Sequence, residues 1–349
     1  MSLTVGAPGV TSDTPSPRIH PLRVLVVLLI CVALLAILLL VSIAVGARPI
    51  PLPDAWDALR AGGDTTEAIV VRQLRVPRTL LAVIVGIALG VAGAVMQVIT
   101  RNPLAEPGLL GVNAGASLAV VLSISLLGVS GTLGRMGFAL VGAGLAAVMV
   151  TWLGMRSATE DVTRLVLAGL ALSASMSAVI GVITMFDSRT FDSYRFWMVG
   201  ALSSADMPTV ALLVGPIAVA AVIALLLGAH FNAMALGDDI GTGLGINVRR
   251  IRLIGLVVLT VLCGCATAAV GPIGFVGLVV PHVVRLLIGV DQRMVLLMSL
   301  LVGPILVLAA DILGRLLVRP GELEVGIVTA FVGAPVLLLL VLRVRTGVK

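Results

Sequence analysis

Apolar runs close to 20 residues long recur from Leu22 to Leu342 in this chain of 349 residues. A run of that length spans the hydrocarbon of a bilayer as a helix, and lipid offers no partner for an unpaired backbone group. With 59% hydrophobic and 11% charged residues and a mean hydropathy of +1.20, the sequence reads as an all-α polytopic membrane protein. Only 3% of residues are aromatic while 39 are glycine, a composition that suits helices approaching closely through small side chains.

Polar and Pro/Gly breaks predict about ten transmembrane helices, near 22–46, 78–100, 113–130, 135–155, 163–185, 208–230, 251–270, 275–290, 294–318 and 323–342. The first run is too long for the core of a secretory signal and lacks a small-residue cleavage pattern, so it reads as a retained helix. Residues 1–21, rich in Ser, Thr and Pro, read as a disordered cytoplasmic tail, and 22–345 as one transmembrane domain.

The segment RNPLAEPGLLG, Arg101 to Gly111, follows directly on an apolar run that ends at Thr100. It places two prolines, Arg101 and Glu106 next to hydrocarbon. Such a loop is tolerated only where protein or water covers its backbone, which points to a packed multi-helix machine.

With the amino terminus in the cytosol, more basic residues fall inside than outside. Arg48, Arg60, Arg72, Arg75 and Arg78 nevertheless cluster outside, between the first two helices. Arg75 and Arg78 sit in the acid-free QLRVPRTL, where either membrane lipid phosphate or an acidic protein partner accounts for them. No nucleic-acid partner is expected.

Asp311 and Arg315 share a helix face at i, i+4 spacing and can pair, leaving guanidinium donors over for a partner. Between the sixth and seventh helices, Phe231 to Arg250 is long enough for two short helices. It offers Met234, Leu236, Leu244 and Ile246 beside Asp238 and Asp239 as a docking face for another protein.

Several chemistries are excluded. The sole lysine is Lys349, so no Gly-Lys-Ser/Thr phosphate loop exists and any ATP hydrolysis must come from another subunit. Cys31, Cys263 and Cys265 lie in apolar segments without neighbouring His or carboxylate, so they read as small packed residues rather than metal ligands. His282, after Pro281, reads as a packed side chain. No arrangement of nucleophile with base, and no HExxH, supports an intramembrane enzyme. An ion-driven secondary transporter would need free titratable groups deep in the bundle, and Asp311 is the only obvious mid-segment acid.

Taken together, LRVPRTL at Leu74 to Leu80, GAVMQVITRNPLAEPGLLGVNAGAS at Gly93 to Ser117, RFWMVGAL at Arg195 to Leu202, ALGDDIGTGLG, GPIGFVGLVVPHVVR, ADILGRLLVRPGELEVG and TAFVGAPV resemble the FecCD-like permeases of type II ABC importers. The resemblance spans about 22–345, and GVNAGAS, DSYRFWMVGAL and TVLCGCATAAVGPIGF look most like the ferric-enterobactin branch. It implies import of a ferric siderophore complex across the cytoplasmic (inner) membrane, with haem and cobalamin as the alternatives within the family.

The implied partners are a second, identical or homologous permease, two cytoplasmic ATPase subunits that bind ATP and Mg, and an extracytoplasmic binding protein. No cofactor or metal in this chain is implied. Carried over residue by residue, Arg75, Arg78 and Arg315 are implied to grip the binding protein. Coupling helices are implied at about 234–247, through Ala235, Leu236, Gly237, Asp238, Asp239, Gly243, Leu244 and Gly245. A cytoplasmic gate is implied near Val162 and Thr163, and a pathway wall at Gly111, Ala114, Gly115 and Ser117.

Overall fold

The computed structural model describes residues 21–46, 65–154, 162–318 and 321–346, together with positions 51, 53, 58 and 60. The expected tail, apart from Pro21, lies outside the described residues. Within them the chain is helical with no strand.

We label the helices α1 (Pro21–Ala44), α2 (Thr66–Thr100), α3 (Val112–Leu127), α4 (Thr132–Gly154), α5 (Val162–Phe186), α6 (Ser188–Met198) and α7 (Met207–Leu226). They continue as α8 (Gly228–Ala235), α9 (Asp238–Gly243), α10 (Val248–Val270), α11 (Val276–Ile288), α12 (Gln292–Leu317) and α13 (Val325–Thr346). Seven are long and apolar enough to cross a membrane, while α3, α11 and the apolar part of α13 are shorter. A helix lies at each of the ten expected positions.

Two differences from the sequence reading have physical causes. Helix α2 begins at Thr66 rather than 78, because a π turn over Val70–Arg75, with Val76 N–H bonded to Val71 O, carries the helix through Pro77, which has no N–H to give. Helix α6 was not expected at all. Its signal is Asp187, whose carboxylate accepts from Arg189 N–H and Thr190 N–H as an N-cap before an amphipathic stretch too polar for a hydropathy scan.

Helix α2 is the hub, packed on α12, α10, α11 and α7, with 78% of its apolar window buried. Its glycines explain how α11 and α12 come so close to it. A Cβ on Gly93 would stand 2.0 Å from Gly277 O of α11, and one on Gly86 would stand 2.5 Å from the Pro304 backbone of α12. Helix α5 is the opposite case, with 11% of its window buried.

Two stretches between helices turn back into the bundle. The chain over Gly271 to Phe275 joins α10, about 35 Å long at 1.5 Å per residue, to the shorter α11, about 20 Å long. The segment Arg101 to Gly111 climbs from the end of α2 to meet that point. There Glu106 accepts the Phe275 N–H at 2.5 Å, and Pro107 packs on Gly277. Phe275 has φ 68°, a left-handed conformation costly for an aromatic residue, and the carboxylate bond holds it in place. Protein thus covers the loop from Ala105 to Gly111, while Arg101, Asn102 and Pro103 stay exposed.

Candidate functional site

Functional side chains gather at the two ends of α2, about 35 Å apart by helical rise between positions 78 and 101. At the Arg101 end, α2 closes on a left-handed residue with φ 48°. That turn aims the Arg101 guanidinium at α8 and α9, where it donates to Met234 O at 3.1 Å and pairs with Asp238. Asp238 also accepts from Arg252 of α10 at 3.0 and 3.1 Å. The first residue of α9 is therefore tied to both α2 and α10.

What this arrangement presents outward is apolar. Leu236, Ile240 and Leu244 are 62%, 53% and 63% exposed, flanked by exposed Ala235, Asp239, Gly243 and Gly245. Gly237 (φ 124°) and Gly245 (φ 80°) bracket α9 in conformations suited to glycine. The expected docking face needs three corrections. Met234 is fully buried, Ile246 is half-buried, and Asp238 faces Arg101 and Arg252 rather than a partner. Ile240 belongs to the face instead, being one turn from both Leu236 and Leu244.

At the other end of α2, three guanidiniums meet two carboxylates. Asp311, 1% exposed, accepts from Arg78 Nε and Nη2 at 3.0 and 2.8 Å on one oxygen and from Arg315 Nη2 at 2.5 Å on the other. Arg78 Nη1 reaches Glu322 at 2.6 Å. Arg315 donates further to Ser42 O, Val45 O and Ser42 Oγ of the α1 end at 2.8 to 2.9 Å, and Arg75 Nη1 donates to Ile43 O and Ala44 O at 2.7 Å.

This corrects the reading of Arg75, Arg78 and Arg315 as open grips. Arg78 has acid partners 233 and 244 residues away, and Arg75 and Arg315 are 5% and 1% exposed, capping carbonyls left over at the end of α1. The side chains of this cluster that reach the surface are Arg78, 11% exposed, and Glu322, 26% exposed.

The remaining candidates separate. Gly115 and Ser117 are buried in the packing of α3, Gly115 against Gly142 and Ala146 of α4, so they do not line an open wall. Gly111 is likewise buried and turns the chain at φ 76°, and Ala114 is half-buried. Thr163 is exposed in the first turn of α5, while the side chain of Val162 lies outside the described residues.

Cys263 lies 3.5 Å from Asn113 Oδ1, which also accepts from Thr267 Oγ1 at 2.8 Å. The three cysteines are free and buried, and among the described residues no three metal-ligating side chains converge.

Residues 34–343 match the model of the FecCD transport family. The chain belongs to the FecCD transport family. This FecCD chain is 44% identical to the ferric enterobactin transport system permease protein of Escherichia coli K12, over 90% of its own length and 94% of the relative's. It is 38% identical to the hemin transport system permease protein of Yersinia pestis, over 94% and 98%. Among solved structures, an inward-facing metal-chelate type ABC transporter superposes with a TM-score of 0.81 at 27% identity, covering 91% of this chain and 99% of that one. The protein is thus a multi-pass inner-membrane permease subunit, a transport component rather than an enzyme.

Proposed function

We propose that this permease forms one half of a two-permease core, paired with an identical or homologous chain, that imports a ferric siderophore complex by alternating access. The observation that carries the reading is the α8–α9 surface. Three exposed apolar side chains stand on a two-helix platform whose base is locked by the Arg101–Asp238–Arg252 ion pairs. A rigid apolar knob transmits force, and a contiguous exposed apolar face of this kind marks a site of protein contact. The partner is an ATPase subunit that binds ATP and Mg on its own residues, which places this end in the cytosol.

The Arg78–Glu322 end then faces outside, where a binding protein delivers the cargo. Because Glu322 is the surface member of that network, docking proceeds by exchange: a carboxylate of the binding protein takes the Arg78 Nη1 position now held by Glu322. Arg75 and Arg315 hold the platform from within. The two guanidiniums on Asp311 also argue against an ion-driven carrier, since they take three of its about four acceptor sites.

Replacing Leu236 with Arg tests the coupling assignment. The variant is expected to assemble in the membrane and lose uptake of labelled ferric siderophore together with retention of the ATPase; full uptake with the ATPase retained would sink it. A hemin cargo is the second reading, favoured by the 38% identity to the hemin permease.

A further inference from the structure

A groove of about 420 Å³ runs between α4 and α10, lined by Gly144, Ala147, Val148 and Trp152 on one side and by Leu253 and Val257 on the other. The four α4 positions recur at i, i+3, i+4 and i+8, so they share one helix face. Its floor is small, since a Cβ built on Gly144 would meet no atom within 4 Å and Ala147 carries only a methyl. Its walls are large and exposed: Val148, Trp152, Leu253 and Val257 all keep more than a third of their surface open.

The groove offers no polar grip along its length. Thr260, at its far end, spends its hydroxyl on Leu256 O of its own helix at 2.7 Å. From Leu253 to Val261 it extends about 12 Å along α10, inside two helices that cross the membrane. A soluble subunit does not reach to that depth, and a narrow slot with a glycine floor suits a hydrocarbon chain.

One end of the groove is charged. Arg249 and Arg250, both exposed, precede Leu253 by four and three residues and so lie one turn nearer the start of α10 on the same face. Helical side chains lean toward the N-terminus, which carries both guanidiniums beyond the apolar walls to headgroup level. Trp152, two residues from the end of α4, marks that level as a membrane–water boundary, where indole rings concentrate.

We propose that the groove and the arginine pair form a binding site for an anionic phospholipid of the leaflet on the α8–α9 side. One acyl chain lies over Gly144 between Val148 and Val257, and the phosphate sits against Arg249 and Arg250. The lipid thereby touches the coupling platform, because Arg252 in the same turn of α10 holds Asp238 of α9. A zwitterionic lipid fills the groove equally well but lacks the net charge that the arginines select.

The test uses the full-length permease in phosphatidylcholine vesicles that contain a rising share of one lipid brominated on its acyl chains, either phosphatidylglycerol or phosphatidylcholine. Bromine quenches tryptophan on contact. The chain has three tryptophans, so the Trp152 signal is the difference between the wild type and Trp152→Phe. Quenching is expected at about a fivefold lower share of phosphatidylglycerol than of phosphatidylcholine, an advantage that shrinks as salt rises. The double variant Arg249→Gln, Arg250→Gln should bring the two lipids level. Gly144→Leu, which fills the groove, should weaken quenching by both, while Arg189→Gln at the opposite end of the bundle should match the wild type.

Equal quenching by the two lipids in the wild type overturns the proposal, as does a preference that survives in the double arginine variant. Loss of ATPase retention in that variant with the lipid preference intact would assign the arginines to the ATPase instead. Quenching absent with both lipids, and restored when two permease chains are separated, would give the groove to a second copy. None of the lipid measurements calls on cargo or ATP, so the import reading stands or falls separately.

Discussion

Arg101 and Asp238 stand 137 residues apart in the chain and form an ion pair that fastens the end of the central helix to the start of α9. Arg101 can reach because it adopts the left-handed conformation that ends α2, and Asp238 is held from the other side by Arg252. A displacement of α9 is thereby transmitted to two spanning helices at once.

Asp238→Ala leaves the Arg252 side chain, 5% exposed, without this carboxylate. Asp238 is itself 39% exposed, so the loss is discounted from the buried-pair range to about 1–2 kcal/mol. The expected result is an assembled transporter that hydrolyses ATP with several-fold less uptake per ATP consumed; unchanged stoichiometry would show that the ion pair plays no part in coupling.

Glu322→Gln removes the surface acid that occupies Arg78 Nη1 while leaving Asp311 in place. If docking proceeds by exchange, affinity for the binding protein rises about threefold at low salt and the gain shrinks as salt increases. Weaker docking would instead make Glu322 a contact in its own right. Asp311→Asn leaves buried Arg315 without a carboxylate and Arg78 with Glu322 alone, and a loss of about 3–5 kcal/mol is expected, read as a lowered melting temperature in detergent.

Gly93→Ala should prevent normal assembly, because its methyl would lie 2.0 Å from Gly277 O in a contact between two backbones that neither helix can relieve. Gly144→Ala, where no atom lies within 4 Å of the new carbon, should express and melt like the wild type. Comparing the yields of folded protein for the two variants checks the close approach of α2 and α11.

Burial pushes the Glu324 carboxyl above its ordinary range, with the Ser203 hydroxyl bond and the Arg78 charge acting the other way and Glu322 and Asp311 adding to the rise. A folded state that holds its proton more tightly is favoured at acid pH, and that contribution is lost as pH rises through the raised value. Glu324→Gln keeps the neutral form, so its melting temperature should vary less than the wild type's between about pH 5 and 8. Parallel profiles for the two proteins would remove Glu324 from this role.

The spans were legible because a bilayer leaves little choice: a 20-residue apolar run must be helical, and each break in hydropathy marks a helix end. The α8–α9 element was also legible as two short helices that leave Leu236 and Leu244 exposed. Helix α6 was not, because its signal is an N-cap and an amphipathic face rather than hydropathy. The Asp311–Arg315 pair was legible from its i, i+4 spacing, but the acid partners of Arg78 were not, because acid-free QLRVPRTL says nothing about Asp311 and Glu322, more than 230 residues away.

Composition and local pattern thus determined that the chain is a helical membrane bundle, where its apolar helices run, that it has no nucleotide loop, and that the polar loop at Arg101 must be covered by protein or water. Only the tertiary structure decided which charges are spent inside and which remain for a partner. Ion pairing depends on distances of a few ångströms between segments, and sequence separation carries no information about those distances until the glycine-mediated crossings of α2 bring the segments together.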